Sequence, residues 1–190
     1  MTRNLFLILP AALLCLAAAP AQKAPAPKAA PTKAAPAKAP ASKASTPAGP
    51  FDATNPQALM DILGGAGAKV QTSRREEDAV FVAVSSPAAT FSMQFAGCSP
   101  QGRACRAVLL DGALEKRAVT IGQINAFNQT SVMCRLYQDK AGAPHVLYSA
   151  ILFRSMSRDD AATHMLAWQG CLSDGRDFLR DPVAYLANAA

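Results

Sequence analysis

Along residues 51–190 the apolar positions change period several times, and each change marks an element. TNPQALMDILGGAGA places Leu59, Ile62, Leu63 and Ala66 at helical spacing, behind Thr54 or Asn55 as a cap and Pro56 in the first turn. Gly64, Gly65 and Gly67 are expected to end that helix. Strand-like runs follow as AKVQTSR, DAVFVAVSS, TFSMQFAGC and CRAVLLDG, separated by charged or Pro/Gly turns. In the third run Phe91, Met93 and Phe95 alternate with Ser92 and Gln94. That alternation predicts an antiparallel strand with one packed face and one wet face.

The period returns to helical at Thr120. Gln123 stands three residues after this capping threonine, and Ile121, Ile124 and Phe127 continue the stripe, so VTIGQINAFNQT reads as a short helix. VMCRLYQD and HVLYSAILF then read as two strands joined by KAGAP. Ser157 and Asp160 form another capping pair, opening a helix whose stripe is Ala161, Met165, Trp168 and Leu172. The predicted order is α-β-β-β-β-α-β-β-α. Runs of strands with short turns, and helices between the runs, argue an α+β fold in which a single antiparallel sheet carries flanking helices.

The residues ahead of this domain change the picture of where it works. MTRNLFLILPAALLCLAAAPAQ has a cation at Arg3, an apolar run from Leu5 to Ala19 and small residues at Ala19 and Ala21, which is the order of a secretory signal with cleavage after Ala21. The run is short for a membrane span and is broken by Pro10. Residues 22–50 are almost entirely Ala, Pro and Lys, with lysines at Lys23, Lys28, Lys33, Lys38 and Lys43. Without large apolar side chains such a segment cannot offset its ordering entropy, and it reads as a disordered linker. The organisation expected is a signal over 1–21, a linker over 22–50 and one domain over 51–190, a length sufficient for its own core.

Charge follows the same division. The net charge of +6 resides in Arg3 and the five linker lysines, and the domain balances thirteen basic against thirteen acidic side chains. A basic arm without aromatic residues to stack on bases argues against a nucleic-acid partner. It suits a solvated spacer, or attachment to anionic wall or outer-membrane polymers.

Cleavage after Ala21 would leave four cysteines, Cys98, Cys105, Cys134 and Cys171, an even number for an exported chain. In FAGCSPQGRAC, Cys98 and Cys105 lie either side of a six-residue turn, and a disulfide closing that loop would stabilise by about 2.5 kcal/mol. Their spacing is too wide for a zinc knuckle, and neither sits in the C-x-x-C arrangement of a redox catalyst. Cys134 and Cys171 fit either a second disulfide or two buried thiols. His145 and His164 read as surface or core histidines. A Cys171–His164 hydrolase would need both groups on one helix face, without any recognisable oxyanion context. No catalytic, metal or cofactor site is expected. Asn125 and Asn128 share a helical face beside Phe127. They serve either the helix end and local backbone or, as a trio with Phe127, a protein partner.

FSMQFAGCSPQGRAC, then INAFNQTSVMCRLYQDKAG, then an apolar strand and a terminal amphipathic helix with Trp168, together resemble the YbjN domain family. The likeness spans roughly Asn55 to Asp181. The family's cysteine pair falls on Cys98 and Cys105, its asparagine-aromatic-asparagine element on Asn125, Phe127 and Asn128, and its basic-aromatic-acidic strand on Arg135, Tyr137 and Asp139. Its members are described as bacterial sensory transduction regulators with a fold like that of type III secretion chaperones. The resemblance implies a non-enzymatic, chaperone-like adaptor or regulator in the periplasm or outside the cell, binding a protein partner and forming a homodimer. The alternative is a structural envelope protein held to anionic polymers by its lysine-rich linker.

Overall fold

The computed structural model describes residues 50–189, so the expected signal and all but the last residue of the expected linker lie outside the described residues. Within that span ten elements run in the order α1 (Pro56–Gly65), β1 (Lys69–Arg75), β2 (Ala79–Ser85), β3 (Thr90–Ala96), β4 (Ala107–Ala113), α2 (Ile121–Thr130), β5 (Arg135–Gln138), β6 (Pro144–Ile151), α3 (Arg158–Arg180) and α4 (Pro182–Asn188). The fold is α+β, with one antiparallel six-stranded sheet ordered β1-β2-β3-β4-β6-β5. Four strands form a meander. The last hairpin inserts β6 beside β4 and leaves β5 at the edge.

The element order departs from expectation at the C-terminus, where one helix becomes two. Pro182 has no N–H to continue the α3 ladder, and its ring pushes Asp181 out of the helical region (φ −151°, ψ 88°). Asp181 then caps α4, its side chain accepting from the Ala184 N–H. At the other end Asn55 rather than Thr54 caps α1, accepting from the Gln57 N–H. Thr54 is buried, its hydroxyl donating to Asp52 at 2.6 Å. Gly64 and Gly65 stay inside α1, and the turn is made at Gly67, with φ +85°. Both predicted capping boxes are present, Thr120 with Gln123 and Ser157 with Asp160.

Strand alternation decides what each face does. Val80, Val82, Val84, Phe91, Met93, Phe95, Val108, Leu110, Val146 and Tyr148 point to one side, where they join Leu59, Ile124, Phe127, Trp168, Leu172 and Phe178 of the helices in a single core. The described helices therefore lie on one face of the sheet. Gly112 of β4 lies against α3, and its missing side chain makes room for Trp168 and Leu172. Trp168 is a core residue, and its Nε1 is buried without a hydrogen-bond partner.

Two disulfides brace this arrangement. Cys98, just after β3, and Cys105, just before β4, are joined (S–S 2.12 Å), and the Cys105 N–H donates to Thr54 O at 2.8 Å, tying the turn to the residues that lead into α1. Cys134 and Cys171 are joined (S–S 2.04 Å) and clip the entry of β5 to α3. Of the two readings open for that pair, the structure takes the disulfide. Predicted strand VMCRLYQD is correspondingly shortened: Val132 and Met133 form an exposed turn that the Cys134 link and the Ser131 Oγ–Cys134 N–H bond hold off the sheet. Paired cysteines of this kind belong to an oxidising compartment. Among the described residues no helix is long and apolar enough to cross a membrane.

Candidate functional site

With α1 to α4 on one side, the opposite face of the sheet is left uncovered by the described residues. It is built from the other strand parity: Phe81 and Ala83 of β2, Ser92 and Gln94 of β3, Leu109 and Asp111 of β4, and His145, Leu147, Ser149 and Ile151 of β6. Leu109 lies opposite Ser149 and Leu147 opposite Asp111, so the two leucines are diagonal neighbours, with Ile151 (60% exposed) one pleat beyond. Toward β1 the Arg74 guanidinium lies over the Phe81 ring, 4.0 Å from its centroid. The apolar part of the face therefore lies on β4 and β6, separated from Phe81 by Gln94 of β3, with the Arg74 cation at the β1 margin.

The β5–β6 corner of the same face is polar and ordered by hydrogen bonds. His145 Nδ1 lies 2.7 Å from Asp111 Oδ1, and the Tyr137 hydroxyl donates to Asp111 Oδ2. The Tyr137 and His145 rings stack with centroids 5.0 Å apart. Partial burial, then the hydrogen bond to Asp111 and the charges of Asp111 and Asp139, push the Tyr137 phenol far above its ordinary value, so it is a protonated donor at neutral pH. Asp139 opens the β5–β6 turn, and its Oδ1 accepts from the N–H groups of Ala141 (2.9 Å) and Ala143 (2.8 Å). Its Oδ2 faces His145 Nε2 at 3.8 Å.

The residues singled out from sequence are scattered by comparison. Phe127 is fully buried between Phe178 and Tyr185, so it is unavailable to a partner. Asn128 is committed internally, its side-chain amide bonded to both backbone groups of Leu136. Of the trio only Asn125 faces solvent. His164 sits against the sheet, its Nδ1 2.5 Å from the Tyr148 hydroxyl. Cys171 is buried and oxidised, which removes the nucleophile that a Cys171–His164 pair would need.

Asp111 was not visible as a site residue in sequence, although a carboxylate in the apolar run AVLLDGA is a signal worth following. Its partners stand 26 and 34 positions away and meet it only because β6 inserts between β4 and β5. Among the described residues no group of three or more His, Cys, Asp or Glu side chains is placed to hold a metal ion.

The chain matches no family model, no curated protein and no solved structure.

Proposed function

We propose that this is an exported, YbjN-like domain that works in the periplasm or beyond it by binding a protein partner on the uncovered face of its sheet. The observation that carries the reading is the one-sided placement of the described helices, which leaves Phe81, Leu109, Leu147 and Ile151 on an open β-surface. An open apolar patch with a polar rim is the usual anatomy of a protein-docking surface. Two disulfides support an extracytoplasmic address, and the ordered set of motifs from FSMQFAGC to the Trp168 helix supports the family reading. Catalysis plays no part in this reading, and the role is that of an adaptor or chaperone-like regulator.

A photo-crosslinking residue placed at Ser149, an exposed position opposite Leu109 and between Leu147 and Ile151 on that face, tests it in the native envelope. The control is the same probe at Gln169, exposed on the solvent side of α3 and away from the sheet. A discrete protein adduct at Ser149 and none at Gln169 is the result expected. Equal labelling at both positions, or adducts to wall polymer alone, would overturn the reading and leave the lysine-rich linker as the binding element.

A further inference from the structure

We propose that His145 and Asp139 form a two-donor site for a borderline divalent metal ion of the Zn2+ class, with Asp111 as the residue that orients the histidine. The inference is independent of the protein-binding reading.

The decisive quantity is the 3.8 Å between His145 Nε2 and Asp139 Oδ2. That distance is too long for a hydrogen bond. It leaves room for one ion between two ligands: a metal about 2.1 Å from each donor would subtend roughly 130° between them, wider than the tetrahedral angle of about 109°, so the two side chains would close by about 0.4 Å on binding. Imidazole nitrogen with carboxylate oxygen is a donor set that Zn2+ and its neighbours accept.

Both donors are also held by their opposite ends. His145 Nδ1 is bonded to Asp111 Oδ1 at 2.7 Å, which favours the tautomer with its hydrogen on Nδ1 and leaves Nε2, the nitrogen nearer Asp139, as the one free to take a ligand. This is the carboxylate–histidine–metal arrangement, in which the outer carboxylate fixes the ring and raises its basicity. Asp111 is itself fixed by the Tyr137 hydroxyl. Asp139 Oδ1 is occupied by two backbone N–H groups of the turn, so Oδ2 is the oxygen left for a ligand. Two donors that are each anchored and meet at a ligand–ligand distance amount to a preorganised half-site. With the His145 side chain 20% exposed and that of Asp139 39% exposed, water or a side chain from a docked molecule can complete the coordination.

The test uses untagged, disulfide-intact, metal-free protein titrated with zinc chloride, following heat release and the imidazole resonances of the two histidines. Zn2+ is expected to shift the His145 resonances and leave those of His164 in place. Asp139→Asn keeps a turn-capping Oδ1 but replaces the donor oxygen with an amide, and is expected to lower affinity at least about 10-fold. Asp111→Asn is expected to cost about 10- to 100-fold without removing a ligand, whereas His164→Asn leaves affinity unchanged. Unfolding midpoints of the metal-free variants separate lost binding from lost structure, and the resonance shifts of the unsubstituted chain need no variant. Absence of any zinc-dependent shift at His145, or an Asp139→Asn protein that binds like its parent, overturns the proposal and reduces the corner to an ordinary ion pair.

Discussion

The side chain of Asn128 pairs with the backbone of Leu136 as a neighbouring strand would: its Nδ2 donates to the Leu136 carbonyl at 3.0 Å and its Oδ1 accepts from the Leu136 N–H at 2.7 Å. β5 is an edge strand, and these two groups point away from β6. One helical residue therefore occupies the outward backbone groups of the edge at Leu136, which would otherwise be open to another chain. Asn128→Ala leaves a donor and an acceptor unsatisfied at a buried residue and is expected to cost about 1–3 kcal/mol in urea unfolding. Asn125→Ala, on the exposed side of the same helix, is expected to stay within about 0.5 kcal/mol. Equal costs for the two would show that the amide pairing contributes nothing particular.

Much of this fold was legible because the signals are local. Phe91, Met93 and Phe95 alternate within five residues, and each capping box spans four, so β3 and the starts of α2 and α3 can be read without knowing what they touch. The pairing of Asn128 with Leu136 was not legible, since an asparagine near a helix end has several local uses and the sequence does not choose among them. The polar corner was harder still. Asp111, Tyr137 and His145 come together only through the insertion of β6 between β4 and β5, a choice of sheet order that strand periodicity leaves open. The division of the last helix was readable in principle from Asp181-Pro182, a capping residue followed by proline.

Gly112 sets how closely α3 can approach β4. A methyl group there would stand 3.1 Å from Leu172 Cδ2 and 3.2 Å from Trp168 Cη2 and Cζ2. The leucine tip can rotate, but the indole is fixed in the core. Gly112→Ala is expected to destabilise by about 1–3 kcal/mol, the range for overpacking a dense core. Because Trp168 is the only tryptophan, its fluorescence in the folded state should change as well. An unaltered spectrum and unaltered stability would mean that the helix shifts without cost.

The two disulfides are expected to differ in their contribution to stability. Cys134 and Cys171 are separated by 37 positions and Cys98 and Cys105 by 7. On the chain-entropy estimate the longer closure is worth about 4 kcal/mol and the shorter about 2.5 kcal/mol. Removing each pair by double Cys→Ala substitution and comparing urea midpoints checks the order. The Cys134–Cys171 variant should also release the Val132–Met133 turn, detected as faster proteolysis at that site. A larger loss on removing Cys98–Cys105 would place the greater constraint in the tie between its turn and Thr54.

All three tyrosines have phenols shifted upward, and for each the first cause is burial. For Tyr137 the hydrogen bond to Asp111 and the charges of Asp111 and Asp139 add to it, and for Tyr185 the charges of Asp174 and Asp177. An acid whose folded pKa lies above its unfolded value contributes stability that is fully present below the unfolded value, near about 10, and is lost as pH rises through the folded value. The unfolded chain releases its phenolic protons first, so alkali favours unfolding. A phenolate absorbance titration of the native chain should therefore show little ionisation at about pH 10, followed by a rise that coincides with loss of circular dichroism. Tyr137→Phe removes the most strongly shifted group and should shrink the part of that rise occurring last. Ordinary phenolate titration in a chain that keeps its native dichroism would contradict the burial and the Asp111 contact together. A late rise without unfolding would instead mean that the three phenols ionise inside an intact fold.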